Sequence, residues 1–209
     1  MNTAVDMPGA IYVGLLFVGH ALLWALKRRC QTLATGIDPD VFSQRQSDPL
    51  QGYISGLSRI LQVYVAGLLV VHALAPTATW GLQRLPLLSR PGVDELGLLF
   101  GVAGLALCWY AQRTMAASWR VGIDETNPTE LVMNGPFRLI RNPTYSGLFA
   151  LTLGFWLIWP TWAVLTFAVL FVVMLEVQVR CEEKHLLRQH GETYAQYFAR
   201  TKRYVPGVY

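Results

Sequence analysis

Residues 144–180 read TYSGLFALTLGFWLIWPTWAVLTFAVLFVVMLEVQVR and contain two long apolar runs separated by Trp159-Pro160-Thr161-Trp162. Each run approaches the length of about 20 residues that a helix needs to cross a bilayer. Proline removes a backbone donor and breaks a continuous helix, and tryptophan is enriched at the water interface of membranes. The stretch therefore predicts a tight helical hairpin within a membrane.

Three further apolar runs precede this hairpin. Of the 209 residues, 53% are hydrophobic and 14% are charged, which is too apolar for a water-soluble globule of this length. The pattern predicts an all-α integral membrane protein with about five transmembrane helices. They are placed at about residues 10–27, 57–76, 94–114, 144–159 and 161–180. An amphipathic pattern continues beyond them and predicts C-terminal interfacial helices that are interrupted at Gly191.

Lysine and arginine gather in the segments that follow helices one, three and five. Because short basic loops stay in the cytoplasm, we expect the N-terminus outside, and the loop 115–143 and the tail inside. The chain then divides into an N-terminal region of three helices, 1–114, and a region of loop, hairpin and tail, 115–209, within one structural domain. Membrane topology accounts for the net charge of +4, so no nucleic-acid partner is expected.

The cysteines and the intramembrane histidines carry no ligand spacing. Cys30, Cys108 and Cys181 lie far apart, so neither a disulfide framework nor a zinc site is expected. His20 and His72 lie singly within apolar runs and are expected to form hydrogen bonds between helices. The sequence predicts no metal site.

Glu176 is an ionisable residue inside the fifth apolar run. A charge near the membrane centre costs about 2.5–3.5 kcal/mol on insertion scales, so such a residue requires a partner or a role. At helical spacing Glu176 shares a face with Arg180 and Glu183. Two interpretations stay open: the row lines a polar cleft, or Glu176 and Arg180 form a structural ion pair at the water boundary.

A second polar stretch, GPFRLIRNPTYSG at residues 135–147, leads into helix four. Asn142-Pro143 is typical of a helix start, with asparagine at the cap and proline at the first helical position. Arg141 places a positive charge beside this helix N-terminus. Backbone amides and a guanidinium together favour an anion. A carboxylate or ribose hydroxyls would bind there, whereas a capped helix whose arginine binds a lipid phosphate is the alternative.

Together the two polar stretches resemble the isoprenylcysteine carboxyl methyltransferase family and its relatives, which include phospholipid and small-thiol methyltransferases. The resemblance covers about residues 115–206. The matching positions are Trp119, Leu131, Val132, Gly135, Pro136, Phe137, Arg138, Arg141, Pro143, Tyr145, Gly147, Glu182, Glu183, Gly191, Tyr194, Tyr197, Arg203 and Pro206. The family pattern usually has histidine where this chain has Asn142, and asparagine carries no proton near neutral pH.

The resemblance implies an S-adenosylmethionine-dependent methyltransferase whose catalytic part is the region 115–209. It implies catalytic roles for Glu183 and Arg141. The implied cofactor-binding residues are Arg141, Asn142, Pro143, Tyr145, Gly147, Leu131, Val132, Gly135, Glu182 and Glu183. The implied substrate-binding residues are Glu176, Arg180, Trp119 and Arg203. The cofactor pocket is expected on the cytoplasmic side.

The implied acceptor is lipophilic or reachable from the membrane: an isoprenylcysteine carboxylate, a phospholipid amine or a small thiol. Membrane lipid is the expected surrounding partner. Two other classes stay open. Membrane sterol reductases share part of this architecture and use a nicotinamide cofactor, and a non-catalytic lipid-binding protein would also suit a chain with Asn142 in place of histidine.

Overall fold

The computed structural model describes residues 7–43, 48–74 and 80–208. Five helices form its body: α1 (Met7–Thr35), α2 (Pro49–Leu74), α3 (Val93–Met115), α4 (Pro143–Ile158) and α5 (Trp162–Arg200). Four of them are long and apolar enough to cross a membrane, and α4 is a shorter apolar helix. The described part of the chain holds no strand, only two isolated backbone bridges. The predicted all-α integral membrane fold is confirmed.

Two helices extend about two turns beyond their predicted boundaries: α1 ends at Thr35 rather than near residue 27, and α2 begins at Pro49 rather than near residue 57. The Asp48 carboxylate accepts a hydrogen bond of 2.9 Å from the Leu50 amide and so caps the helix. Asp-Pro is a helix-start signal. Polar residues follow it, so the apolar pattern did not reveal the first two turns of the helix. The predicted end of this helix at residue 76, and the outer limits 1 and 209 of the two predicted regions, lie outside the described residues.

The hairpin between α4 and α5 is confirmed. Its turn contains Pro160, and the Thr161 hydroxyl oxygen accepts a hydrogen bond of 3.2 Å from the Val164 amide at the start of α5. Near its other end α5 is interrupted at Gly191, whose φ of 54° and ψ of −127° are not helical. A positive φ is accessible to glycine without a Cβ clash, so the predicted break lies where the sequence placed it.

Helices α3 and α4 touch through their backbones. A Cβ added to Gly104 would lie 2.5 Å from the Gly147 carbonyl oxygen, and one added to Gly154 would lie 2.6 Å from the Gly97 carbonyl oxygen. Small residues permit such close approach between membrane helices. The small-residue step Gly97–Gly101 in α3 therefore serves packing within the molecule.

The helices form a ring. α1 packs on α3 through Leu16 against Gly101, and α2 meets α5 where the Tyr64 hydroxyl donates a hydrogen bond of 3.1 Å to the Ala163 carbonyl. The α3–α4 contact and the α4–α5 hairpin continue the ring, and side chains of α1 and α2, such as Val13 and Leu68, join one apolar core. All five helices contribute residues to the wall of an internal cavity.

The segment after α5 folds back onto the loop before α4. The amides of Arg141 and Asn142 donate hydrogen bonds of 2.8 Å and 3.1 Å to the carbonyls of Lys202 and Arg203. The Tyr197 hydroxyl donates a bond of 2.6 Å to the Phe137 carbonyl. The tail is thus an ordered part of the site region.

Candidate functional site

The cavity inside the helix ring has a volume of about 340 Å³. This lies within the usual range of small-molecule sites, about 300–1,000 Å³. Its apolar part is lined by Phe17, Leu61, Val65, Phe155, Phe167 and Phe171. Four of these side chains also line a small second cavity that reaches Trp159 and Val164 at the hairpin turn. This second cavity is separate and holds only about 10 Å³, so the apolar space available to a ligand is that of the main cavity.

Glu182 brings a carboxylate to the opposite, polar part of the cavity. Its Oε1 accepts hydrogen bonds of 2.6 Å from the Tyr145 hydroxyl and 2.9 Å from Gln178 Nε2. Gln178 is held in turn by Gln51 of α2, whose Nε2 donates a bond of 3.1 Å to Gln178 Oε1. Oε2 of Glu182 makes no hydrogen bond within the described chain. We call Tyr145, Gln178 and Glu182 the acidic wall; all three line the cavity.

Glu183 lies away from the cavity and is enclosed by cations. Its side chain is 6% exposed, and it forms ion pairs of 3.0 Å with Arg141 and 2.8 Å with Arg203. The Arg141 guanidinium also donates to the Phe198 and Thr201 carbonyls and stacks over the Phe198 ring. Arg141 and Glu183, the two predicted catalytic residues, therefore join the loop before α4 to the tail.

Asn142 occupies the cap position of α4, but its side chain does not cap the helix. Its Nδ2 instead donates a hydrogen bond of 3.1 Å to Glu183 Oε1. This corrects the expectation that the asparagine side chain caps the helix. A cap would use the side-chain oxygen as the acceptor, whereas the hydrogen bond from Nδ2 to the buried Glu183 carboxylate holds the amide in another orientation. Asn142 also lines the cavity, so it connects the ion-pair cluster with the polar end of the site.

The tail contacts both glutamates of the row formed by Glu176, Arg180 and Glu183. Arg203 approaches both glutamates, at 3.4 Å from Glu176 Oε1 and 2.8 Å from Glu183 Oε2, and the Tyr204 hydroxyl donates to Glu176. Burial and the nearby Glu176 raise the pKa of Tyr204, so its hydroxyl keeps its proton. Arg180 forms a 2.6 Å ion pair with Glu176. The structure therefore contains the ion pair of the second interpretation. The substrate roles of Glu176, Arg180 and Arg203 stay predictions.

The remaining predicted site residues divide between the cavity and its surroundings. Trp119 and Pro143 line the cavity. Gly147 packs against Cys108 and Gly104 of α3 and serves the helix contact. The others lie in the loop before α4 and do not line the cavity: Leu131, Val132 and Gly135.

The cavity residues that the sequence analysis missed as site residues include Gln178 of the acidic wall and also His20, Gln112 and Thr144. Each of the last three has a buried polar atom without a hydrogen-bond partner in the described chain, namely His20 Nδ1, Gln112 Oε1 and Thr144 Oγ1. Leaving such an atom unpaired costs about 1–3 kcal/mol. For His20 the expected hydrogen bond between helices is wrong. A polar residue within an apolar run was the only available signal, and it does not show which way the side chain faces.

Arg120, in the loop between α3 and α4, lines the cavity and is held by hydrogen bonds within that loop. Arg120 donates a hydrogen bond of 3.1 Å to Asp124 and further bonds to the Ala117 and Trp119 carbonyls. Burial alone would raise the pKa of Asp124, but hydrogen bonds from Thr126, Asn127 and Arg120 lower it to about 2. Asp124 is therefore ionised at physiological pH and holds the Arg120 guanidinium.

A comparison with known protein families gives a match over part of the chain that lines this cavity. Residues 95–193, from the first turn of α3 to the tail helix, match the family model described as phospholipid methyltransferase. The resemblance to membrane methyltransferases is thereby confirmed for this region, which includes the acidic wall and the loop before α4. No curated protein matches the chain significantly.

Proposed function

We propose that this membrane protein, with its phospholipid methyltransferase-family region, transfers a methyl group from S-adenosylmethionine to a lipophilic acceptor that enters from the membrane. The observation that carries the proposal is the main cavity, which has an acidic wall at one end and phenylalanine-rich walls at the other. A charged cofactor and a hydrocarbon-bearing acceptor require these two environments side by side.

The residues of the acidic wall fit the cofactor. S-adenosylmethionine would supply a methyl group on a sulfonium sulfur, which leaves as a neutral thioether. Glu182 presents Oε2, which has no partner in the described chain, and a carboxylate suits the ammonium group of an amino acid. Tyr145 and Gln178 hold the other oxygen, so the carboxylate is oriented before a ligand binds. Asn142 offers an amide at the same end.

The apolar walls fit the acceptor. Phe155 and Phe167 line the apolar part of the main cavity and also the small second cavity near the hairpin turn. Burial of each methylene of a chain there stabilises binding by about 0.8 kcal/mol. The protein contributes to the reaction by aligning the two reactants and excluding water. This lowers the activation barrier by up to about 7–11 kcal/mol when the geometry is optimal. No side chain is required to act as an acid.

The proposal is tested with full-length protein purified in detergent. Calorimetry measures binding of S-adenosylmethionine and S-adenosylhomocysteine, with NADPH as the comparison cofactor. Saturable binding of the two adenosyl compounds, followed by transfer of labelled methyl groups into added lipid extract, is the expected result. Binding of NADPH alone would favour a membrane reductase. Folded protein that binds neither cofactor would contradict catalysis and favour a lipid-binding role.

A further inference from the structure

The polar surface of the cavity has a second, uncharged part. His20 of α1, Gln112 of α3 and Thr144 of α4 line it, and each contributes a buried atom that has no hydrogen-bond partner in the described residues. Gln112 is 6% exposed, so bulk water does not satisfy its amide. Buried polar groups in proteins are almost always paired. We call these three residues the neutral wall, and their unpaired atoms indicate hydrogen bonds to a molecule in the cavity.

The neutral wall and the acidic wall are built mainly from different helices. α1 and α3 pack together where Gly19 meets Leu105. Thr144, in the first turn of α4, lies beside them, because its carbonyl accepts a hydrogen bond of 3.4 Å from Cys108, one turn before Gln112 in α3. Gln178 and Glu182 lie on α5, and the two walls meet at α4, where Thr144 and Tyr145 are neighbours in sequence.

This arrangement assigns a position to the acceptor, given the proposed function. Glu182 is the proposed partner of the cofactor's ammonium group, so the unpaired polar atoms left for the head of the acceptor are those of the neutral wall. We propose that the neutral wall binds this head, and that the head is an uncharged group that carries an O–H or N–H rather than a carboxylate. Its oxygen or nitrogen would form the bond to the methyl carbon as the carbon–sulfur bond breaks, the thioether would leave with that electron pair, and the proton of the head would pass to the unpaired Nδ1 of His20.

The charges of the cavity support this choice. Two arginines line it, and both are held by other groups: Arg141 pairs with Glu183, and Arg120 pairs with Asp124. A carboxylate removed from water needs a cation or several donors. Gln112 Oε1 is an acceptor and would repel it, whereas a hydroxyl or amine donates a hydrogen bond to the same atom.

The test is binding of two matched probes, lauryl alcohol and laurate, to full-length protein saturated with S-adenosylhomocysteine. Calorimetry measures each Kd, with empty micelles as the blank for partition into detergent. We expect lauryl alcohol to bind at least about tenfold more tightly than laurate. Gln112→Leu should raise the Kd of lauryl alcohol about three- to tenfold by loss of one hydrogen bond. Gln83→Leu, the same change at an exposed position outside the cavity, should leave it unaltered.

Each other outcome contradicts the proposal. Tighter or equal binding of laurate, absence of binding by either probe, or an unchanged Kd in Gln112→Leu would each overturn it. If Gln112→Leu weakens S-adenosylhomocysteine by the same factor, Gln112 belongs to the cofactor side and the assignment is wrong. Thr144→Val serves as the second variant if Gln112→Leu does not fold. Failure of the wild type to bind S-adenosylhomocysteine would instead contradict the proposed function itself.

Discussion

Glu182 and Glu183 are neighbours in the sequence, but their carboxylates have opposite surroundings. Glu182 lines the cavity and its hydrogen-bond partners, Tyr145 and Gln178, are neutral. Glu183 is buried against two guanidinium groups and lies outside the cavity. Successive helical residues point about 100° apart, so one helix presents these two carboxylates to different neighbours. A pair of adjacent acidic residues can thus supply one carboxylate to a cavity and the other to an ion-pair network.

The largest expected effect is on stability. Glu183→Ala leaves Arg141 buried without its counter-charge and Arg203 with its longer, 3.4 Å pair to Glu176, so the free energy of unfolding should fall by about 3–5 kcal/mol. Denaturant titration of the purified protein measures the change, and limited trypsin digestion reports release of the tail at Lys202. Glu130→Ala, at an exposed position, is the control. Normal stability together with loss of cofactor binding would contradict the structural role of Glu183. It would indicate that Glu183 binds the ligand, as is proposed for Glu182.

The next effect is on affinity. Glu182→Gln preserves shape and removes the charge, so binding of S-adenosylhomocysteine should weaken about 10- to 100-fold, as expected for a hydrogen bond to a charged group. The unfolding free energy should change far less than in Glu183→Ala, since no cation is left unpaired. Calorimetry and denaturant titration on the same preparation give both numbers. Glu130→Gln is the matched control, and unchanged affinity in Glu182→Gln would remove the carboxylate from the cofactor site.

A smaller effect sharpens the account of the acidic wall. Tyr145→Phe deletes the hydroxyl that orients Glu182 Oε1 and leaves the ring in place. Affinity for S-adenosylhomocysteine should fall only about three- to tenfold, because the bond from Gln178 still orients Glu182 Oε1. Tyr110→Phe, at an exposed tyrosine of α3, is the comparison. A loss as large as that of Glu182→Gln would indicate that Tyr145 contacts the ligand directly.

The smallest effect concerns the surface end of the ion-pair cluster. Arg180 is 58% exposed on its side chain and pairs with Glu176, and exposed pairs contribute about 0–1 kcal/mol. Arg180→Ala should therefore change the unfolding free energy by less than about 1 kcal/mol and leave cofactor affinity unaltered. Denaturant titration beside Glu183→Ala provides the contrast. A large loss would show that the tail depends on Arg180 as well as on Arg203.

The hairpin and the tail could be predicted from the sequence because local signals determine them. Pro160 must interrupt a helix, and Gly191 permits the positive φ at the break. The two glutamates were recognised from a motif, but which of them enters the cavity depends on the rotation of α5 against α4 and the tail. The partner of Asn142 depends likewise on the position of Glu183.

The neutral wall could not be predicted in this way. His20, Gln112 and Thr144 come from three helices and share no spacing in the sequence. Their convergence follows from the backbone contact between α3 and α4 and from the packing of α1 on α3. Such contacts are fixed by the fit of small residues between helices, which periodicity does not reveal.

The pairing of the tail with the loop before α4 has a consequence for biosynthesis. A ribosome makes all five helices before it reaches Lys202 and Arg203, the residues whose carbonyls receive the Arg141 and Asn142 amides. Nascent chains that stall earlier would insert into the membrane with this rim of the cavity unsupported. Ligand binding is therefore expected only after translation has passed residues 202 and 203. Epitope tags or nonsense mutations near these residues should abolish binding without preventing membrane insertion.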